Sequence, residues 1–422
     1  MHRACTLCRF ARAARDPYAR HPFLPGAIPC PESHGRERYE TRRFPAVPGW
    51  VYLVMSAGRI VRRALLAIVV LVVAFLVITP IGRYLAKAGW EEGKILVRRR
   101  SIRELVASPK TDPNTRAKLE LVLDARTFAA DSLHLDADES FTTYSKLDSD
   151  TLVLVVGAAY RDRLRPYTWW FPIVGRVPYK GYFTMGGALD EVKSLESQGL
   201  DTYVRPASAF STLGWFADPV VSSTLHEDTA SLANTVIHEL THNTFYAPGQ
   251  AVFNESFANF VGAHGAMRFF AARGDTLDLR ASEEDWARDR ALGAFWEGVF
   301  NALDSAFKAH PGSERERLAA RDTVFAHARV HFFQDVLPGL PGVPPGVHVR
   351  LVLNNAIVLS RRVYRTGLDL FDGVLTREGG DLRRAVPAII AMAKSRPEDP
   401  YGAVRDWLQA HPAPAPGDSA LR

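Results

Sequence analysis

Cysteine is almost missing from this chain. There are 3 in 422 residues, Cys5, Cys8 and Cys30, and none follows. A structural zinc site of four thiolates is therefore excluded from the body of the protein. Strong charge of one sign is missing as well. The net charge is +6, much of the excess lies near the N-terminus, and no basic stripe interleaves with aromatic residues. Nucleic acid is accordingly not an expected partner. No internal repeat is present, and residues 64–81 contain no charged group. What remains is ordinary globular composition, 47% hydrophobic and 23% charged, in a chain long enough to bury at least one large core.

The first 54 residues are rich in Arg and Pro and show neither helical nor strand period. Cys5, Cys8, Cys30 and His34 are metal-ligating types, but their spacing is loose and no apolar pattern surrounds them. Residues 1–54 read as disordered, or as an upstream extension of a chain whose translation starts at Met55. The uncharged run 64–81 has the length of one bilayer crossing. Arg59, Arg62 and Arg63 precede it, as expected for a cytoplasmic flank. Residues 55–88 thus read as a signal-anchor that contacts membrane lipid through one transmembrane helix, 64–81. The rest is expected on the exported, periplasmic side of the cytoplasmic membrane. The alternative is a signal peptide cleaved after Ala86-Lys87-Ala88. A buried core helix is disfavoured because no face of the run is polar.

The catalytic region is expected over 89–411, followed by a Pro-, Ala- and Gly-rich disordered tail, 412–422. Apolar residues recur at helical spacing over 90–105, 114–133, 188–198, 283–307, 314–333, from about 351, and over 381–393. Short apolar runs at 152–156 and 202–205 suit strands. The fold class that follows is α+β, mainly helical.

Within it, residues 235–242 read Thr-Val-Ile-His-Glu-Leu-Thr-His in a helical run. Positions i and i+4 of a helix share a face, so His238 and His242 can aim two imidazole nitrogens at one point. Glu239 lies about 100° further round, within reach of a water held there. This is the zincin pattern, with two nitrogen ligands and a carboxylate base. Zinc needs a third protein ligand and an open position. The segment from Phe253 to Phe260 is again helical in spacing, with Glu255 near its start, and Pro248 and Gly249 break the chain before it. His238, His242 and Glu255 are the expected Zn2+ ligands and Glu239 the general base. Calcium is disfavoured by the two imidazoles.

The paired segments resemble a gluzincin, the zinc-peptidase clan of thermolysin and aminopeptidase N, in which a Glu within an Asn-Glu-x-Phe-Ala run, here Asn254 to Ala258, is the third ligand. The shorter spacer is similar to that of the bacterial "putative aminopeptidase" family. That likeness runs from about Trp90 to about Asp381 and takes in 171–183, 211–216 and 353–356. The resemblance implies a gluzincin-like catalytic domain behind the transmembrane segment, acting on a peptide substrate. It implies an edge strand lining the cleft, for which Ser211 to Phe216 is the candidate. It implies a partner for a ligand imidazole at Asn259, and an oxyanion donor on a later helix, Tyr364 first, with His348 or His331 as substitutes. Ser211 to Phe216 lacks the Glu with which aminopeptidase N-like enzymes hold the substrate amine. Asp218, Glu227 and Asp228 are the nearest replacements. The alternatives are an endopeptidase, another zinc amide or ester hydrolase, and a non-catalytic membrane-tethered binding protein.

Overall fold

The computed structural model describes residues 50–148, 153–172, 175–207, 219–344 and 346–412, with side chains from Ile60 onward. The chain divides into two units, Met1–Leu71 and Val72–Arg422. The first unit, as described, is the N-terminal part of helix α1 (Trp50–Ile78). Residues Ile60–Ile78 of that helix are long and apolar enough to cross a membrane, and none of this stretch is buried. It is one helix and then another, not an unbroken span to Ile81. Thr79 caps α2 (Pro80–Val97), its Oγ1 accepting from the Gly82 amide at 2.8 Å, and Pro80 occupies the first helical position. A proline there has no N–H to lose and a φ already helical, so the chain restarts instead of continuing.

The second unit is mainly helical with small sheets. The helical expectation over 90–105 divides at the arginine run: α2 ends at Val97, Arg100–Ser101 form β1, and α3 is Ile102–Ala107. There follow α4 (Pro113–Leu133), β2 (Thr143–Ser145), β3 (Val153–Tyr160), β4 (Trp169–Phe171), β5 (Gly175–Val177), β6 (Tyr179–Tyr182), α5 (Met185–Ser197), β7 (Leu200–Ala207) and β8 (Val220–Val221). The remainder is helical: α6 (Thr229–Thr244), α7 (Ala251–Arg273), α8 (Thr276–Ala309), α9 (Glu314–His331), α10 (Asn355–Arg362), α11 (Leu368–Arg377), α12 (Leu382–Ser395) and α13 (Pro400–Ala410). Helix α10 starts later than the apolar pattern because Asn354 caps it, accepting from the Ile357 amide at 2.8 Å. The Cys5, Cys8, Cys30 and His34 group, the wall segment Ser211 to Phe216, Asp218 and the tail from residue 413 lie outside the described residues.

Strands β6, β3 and β7 form an antiparallel sheet in that order. Gly157 on β3 faces Tyr179 on one side and Tyr203 on the other, and Val155 faces Arg205. Alternation then puts Tyr179, Tyr203, Arg205 and Asp201 on one face. The opposite face, with Val156 and Ala158, packs on α5 through Ala188 and Leu195. The Tyr203 ring lies across Gly157, where a Cβ would stand 2.2 Å from its Cε1.

The main core gathers α4, α6, α7, α11, α12 and α13, with Phe253, Phe257, Phe260 and Phe371 essentially sealed from solvent. At its centre α6 and α7 lie closely against each other. Residues 245–250 join them, with Gly249 at φ +78°, a conformation glycine adopts without strain. Asn254 fastens this connection, its amide exchanging two 2.8 Å bonds with the backbone N–H and C=O of Ala247. The close approach depends on glycines. A Cβ on Gly262 would stand 2.3 Å from Asn234 Oδ1 and 3.1 Å from the His238 Cβ. One on Gly265 would stand 2.8 Å from the Ile237 Cγ2.

Two glycine-to-alanine changes are expected to move stability in opposite directions. Gly298, mid-helix in α8, has open space where a Cβ would go, so Gly298→Ala should stabilise by roughly 0.5–1 kcal/mol. Gly262→Ala should instead cost roughly 1–3 kcal/mol by forcing α6 away from α7. Thermal unfolding midpoints measure both, and a Gly262→Ala protein as stable as its parent would contradict this packing.

Candidate active site

The first helix of the site is started by Asp228, whose carboxylate accepts from the Ser231 amide at 2.8 Å and its hydroxyl at 2.9 Å. Asp228 is thus spent as a helix cap. From there α6 carries His238 and His242 on one face, and α7 presents Glu255 to them across the glycine contact. The His238 and His242 Nε2 atoms are 3.3 Å apart, and Glu255 Oε2 lies 3.5 Å from the first and 3.7 Å from the second. Ligands of a tetrahedral ion at zinc–nitrogen and zinc–oxygen distances stand about 3.3–3.5 Å from one another. Three lone-pair donors converge with no other cation among them, so His238, His242 and Glu255 form a group that could hold a metal ion. Their side chains are 13%, 20% and 29% exposed, which leaves the point of convergence reachable from solvent.

The electrostatics agree with a cation there. Burial opposes the charge on Glu255, but the bonds and fields of His238 and His242 outweigh it and hold the carboxyl well below its usual range. Burial likewise opposes protonation of His242, and Glu255 with Glu239 overcomes it, so His242 binds its proton more tightly than a free imidazole. The group attracts positive charge. Glu239 is close enough to raise the proton affinity of His242, of Tyr364 and of Glu227.

Of the three candidates from later in the chain, Tyr364 is the one whose ring lies beside a histidine of this group, 6.3 Å from the His238 ring centroid. His331 pairs with Asp335 at 2.8 Å, and His348 lies exposed in the loop before α10. Burial first, then Glu255, pushes the Tyr364 phenol up to about 12, against the pull of Arg205. It stays protonated at neutral pH. Arg205 donates to its oxygen at 3.2 Å. Arginine is donor only, so the phenol's own proton is not used in that bond.

Tyr364 sits just past α10, and α7 fixes its backbone. Ser256 Oγ donates to the Val363 carbonyl and accepts from the Thr366 amide, both at 3.1 Å. Asn259 Nδ2 donates to the Tyr364 carbonyl at 3.1 Å and to Asp289 Oδ2 at 3.0 Å. Asp289 in turn accepts from Arg365 Nη2 at 2.6 Å. The resemblance implies an imidazole partner at Asn259; the bonds from its nitrogen run to the Tyr364 carbonyl and to Asp289. Residues one turn apart on α7 therefore present Glu255 and hold the tyrosine. Nothing in the sequence signals Asp289 or Arg205 as neighbours of the site, or that Ser256 holds the Tyr364 turn, because each contact joins positions far apart in the chain.

Glu227, just before α6, accepts from Thr235 Oγ1 at 2.7 Å. Burial pushes it up to about 7, with Asp228 and Glu239 adding to the rise against the hydroxyl of Thr235. Of the expected amine anchors it is the described carboxylate not spent on a cap. Tyr179 also borders the site: burial raises its phenol, and Glu255 and Tyr246 add to the effect.

No curated protein and no solved structure matches the chain. The model of a family described as "Putative aminopeptidase" matches residues 83–400, from the start of α2 to the start of α13. That stretch holds His238, His242 and Glu255 together with Tyr364, and on it this chain belongs to the "Putative aminopeptidase" family.

Proposed function

We propose that this protein is a membrane-anchored zinc metallopeptidase of gluzincin type that cleaves residues from the free N-terminus of peptides. The single observation that carries the reading is the convergence of His238 Nε2, His242 Nε2 and Glu255 Oε2 within 3.3–3.7 Å, with Glu239 on the same helix. A purely structural site would have no use for Glu239. Two imidazoles and one carboxylate are the donor set of a catalytic zinc, and they suit it better than calcium. When bound, zinc lowers the pKa of a coordinated water towards about 7 and polarises the substrate carbonyl.

The chain's own groups do the rest. Glu239 takes the proton of the attacking water and returns it to the leaving amine. Tyr364, protonated at working pH, donates to the oxyanion of the tetrahedral intermediate. Asn259 and Ser256 position Tyr364 through its backbone. Glu227 receives the substrate ammonium. A buried carboxyl with a pKa of about 7 is neutralised cheaply in the empty site and ionises against an incoming cation. The apolar stretch of α1 anchors the enzyme, and Arg59, Arg62 and Arg63, which precede its uncharged part, favour a cytoplasmic N-terminus with the catalytic unit on the exported side.

The full chain purified in detergent should hold about one zinc per molecule. His242→Ala should lose the metal. Glu239→Gln should keep the metal and lose at least about 10²-fold in kcat; full turnover by that variant would remove Glu239 from the mechanism. A reporter enzyme fused after Arg422 should be active only where exported enzymes are, and activity in the cytoplasm would reverse the topology. Peptides with a free N-terminus should be cleaved at least about tenfold faster than their acetylated forms, because an anchored amine is worth roughly a charge-assisted hydrogen bond. Glu227→Gln should erase that preference and keep the zinc. Equal cleavage of both series by the unmutated enzyme would make it an endopeptidase.

A further inference from the structure

Arg205 is a part-buried cation beside the metal-ligating group, and among the described residues it has no carboxylate partner. Its Nη2 donates to Tyr364 Oη at 3.2 Å and its guanidinium lies 5.6 Å from the Tyr364 ring centroid. The Tyr203 phenol, on the same strand face, is its other near neighbour. Its Nε is buried without an acceptor among the described residues. These partners are neutral phenols. A buried guanidinium held by neutral groups alone is costly unless something anionic arrives.

Its neighbours are handled otherwise. At the other end of the same strand face, Asp201 takes Arg321 Nη2 at 2.6 Å. Arg365 bonds Asp289 through both Nε and Nη2. Arg361, on α10, is near enough to be repelled by Arg365 and Arg205 and drawn by Asp289, and among the described residues it makes no ion pair. Two cations that make no ion pair among the described residues therefore stand together near Tyr364, on which Glu255 and Glu239 also act.

Resting on the peptidase reading, we propose that Arg205, supported by Arg361, binds a carboxylate of the substrate. The Tyr364 ring centroid lies 5.6 Å from the Arg205 guanidinium and 6.3 Å from the His238 ring centroid, so the guanidinium stands one aromatic ring away from the histidine. A peptide advances at most about 3.3–3.6 Å per residue, so the carboxylate lies one to three residues from the cleaved bond. It is either the free C-terminus of a short peptide or the side chain of Asp or Glu at that distance. The guanidinium fork suits a carboxylate in two-point contact, and the Tyr364 hydroxyl holds it in orientation. The substrates are thus short or acidic peptides.

The test uses the full chain, zinc-loaded, in detergent. Di- to tetrapeptides are compared as free acids and C-terminal amides, and amidated longer peptides are compared with Glu or Gln placed one to three residues after the cleaved bond. The proposal expects at least a tenfold higher kcat/KM for one carboxylate-bearing class, which identifies the source of the carboxylate. Arg205→Gln should lower that class at least tenfold more than its uncharged counterpart, chiefly through KM, and Arg205→Lys should recover part of the loss. Equal cleavage of charged and uncharged peptides by the unmutated enzyme overturns the proposal. So does an equal loss for both in Arg205→Gln, which would make Arg205 a positioning residue for Tyr364. If no peptide is cleaved, the peptidase reading fails. Calorimetric titration of the Glu239→Gln protein with a free-acid tripeptide and its amide still decides the carboxylate site. Tighter binding of the acid supports it, and equal affinity overturns it.

Discussion

The close packing of α6 against α7 is the constraint on which the rest depends. Two histidines one turn apart define only a line of approach; the third donor of the group must come from a second helix, near enough for a carboxylate to reach both rings. Gly262 and Gly265 permit that approach, since a side chain at either would meet Asn234, Ile237 or His238 at less than contact distance. The Asn254 clamp on Ala247 fixes where α7 starts and therefore where Glu255 stands. The result is a triangle of lone-pair donors that is electrostatically unfavourable until a cation enters it. The low pKa of Glu255 and the raised one of His242 are two expressions of that demand.

Helix α7 serves the site twice. Glu255 faces the histidines, while Ser256 and Asn259 hold the backbone on either side of Tyr364. One rigid element thus sets both the Glu255 carboxylate and the phenol, so their separation does not depend on a loop. The sheet approaches from the other side and brings Arg205 against the same phenol. The chemistry proposed for Tyr364, donation from a protonated hydroxyl, fits a buried ring whose oxygen is already supplied with a donor by Arg205 and whose proton remains.

The sequence was most legible where chemistry rides on local period. Helical spacing brings His238 and His242 to one face, and the proline–glycine break before α7 announces a helix folding back. Helices α4, α5, α8 and α9 and strands β3 and β7 were legible for the same reason, as apolar residues at their own period. Break points were less so. Thr79-Pro80 interrupts the apolar helix because a hydroxyl cap and a proline outweigh continuous hydrophobicity. Asn354 delays α10 in the same way. Least legible were contacts between distant positions. The bonds of Arg205 to Tyr364 and of Asn259 to Asp289 follow from strand register and helix packing, and no local pattern encodes either. The likeness to gluzincins points to a partner at Asn259, but the backbone it reaches is visible only in three dimensions.

X-ray absorption at the zinc edge of the purified full-length protein tests the central claim most directly. The account predicts a first shell of nitrogen and oxygen at about 2.0–2.2 Å, with outer-shell scattering from two imidazoles and no sulfur. The outer-shell imidazole signal should fall or vanish in His242→Ala. Sulfur in the first shell, or an imidazole signal unchanged in that variant, would contradict a metal held by His238, His242 and Glu255.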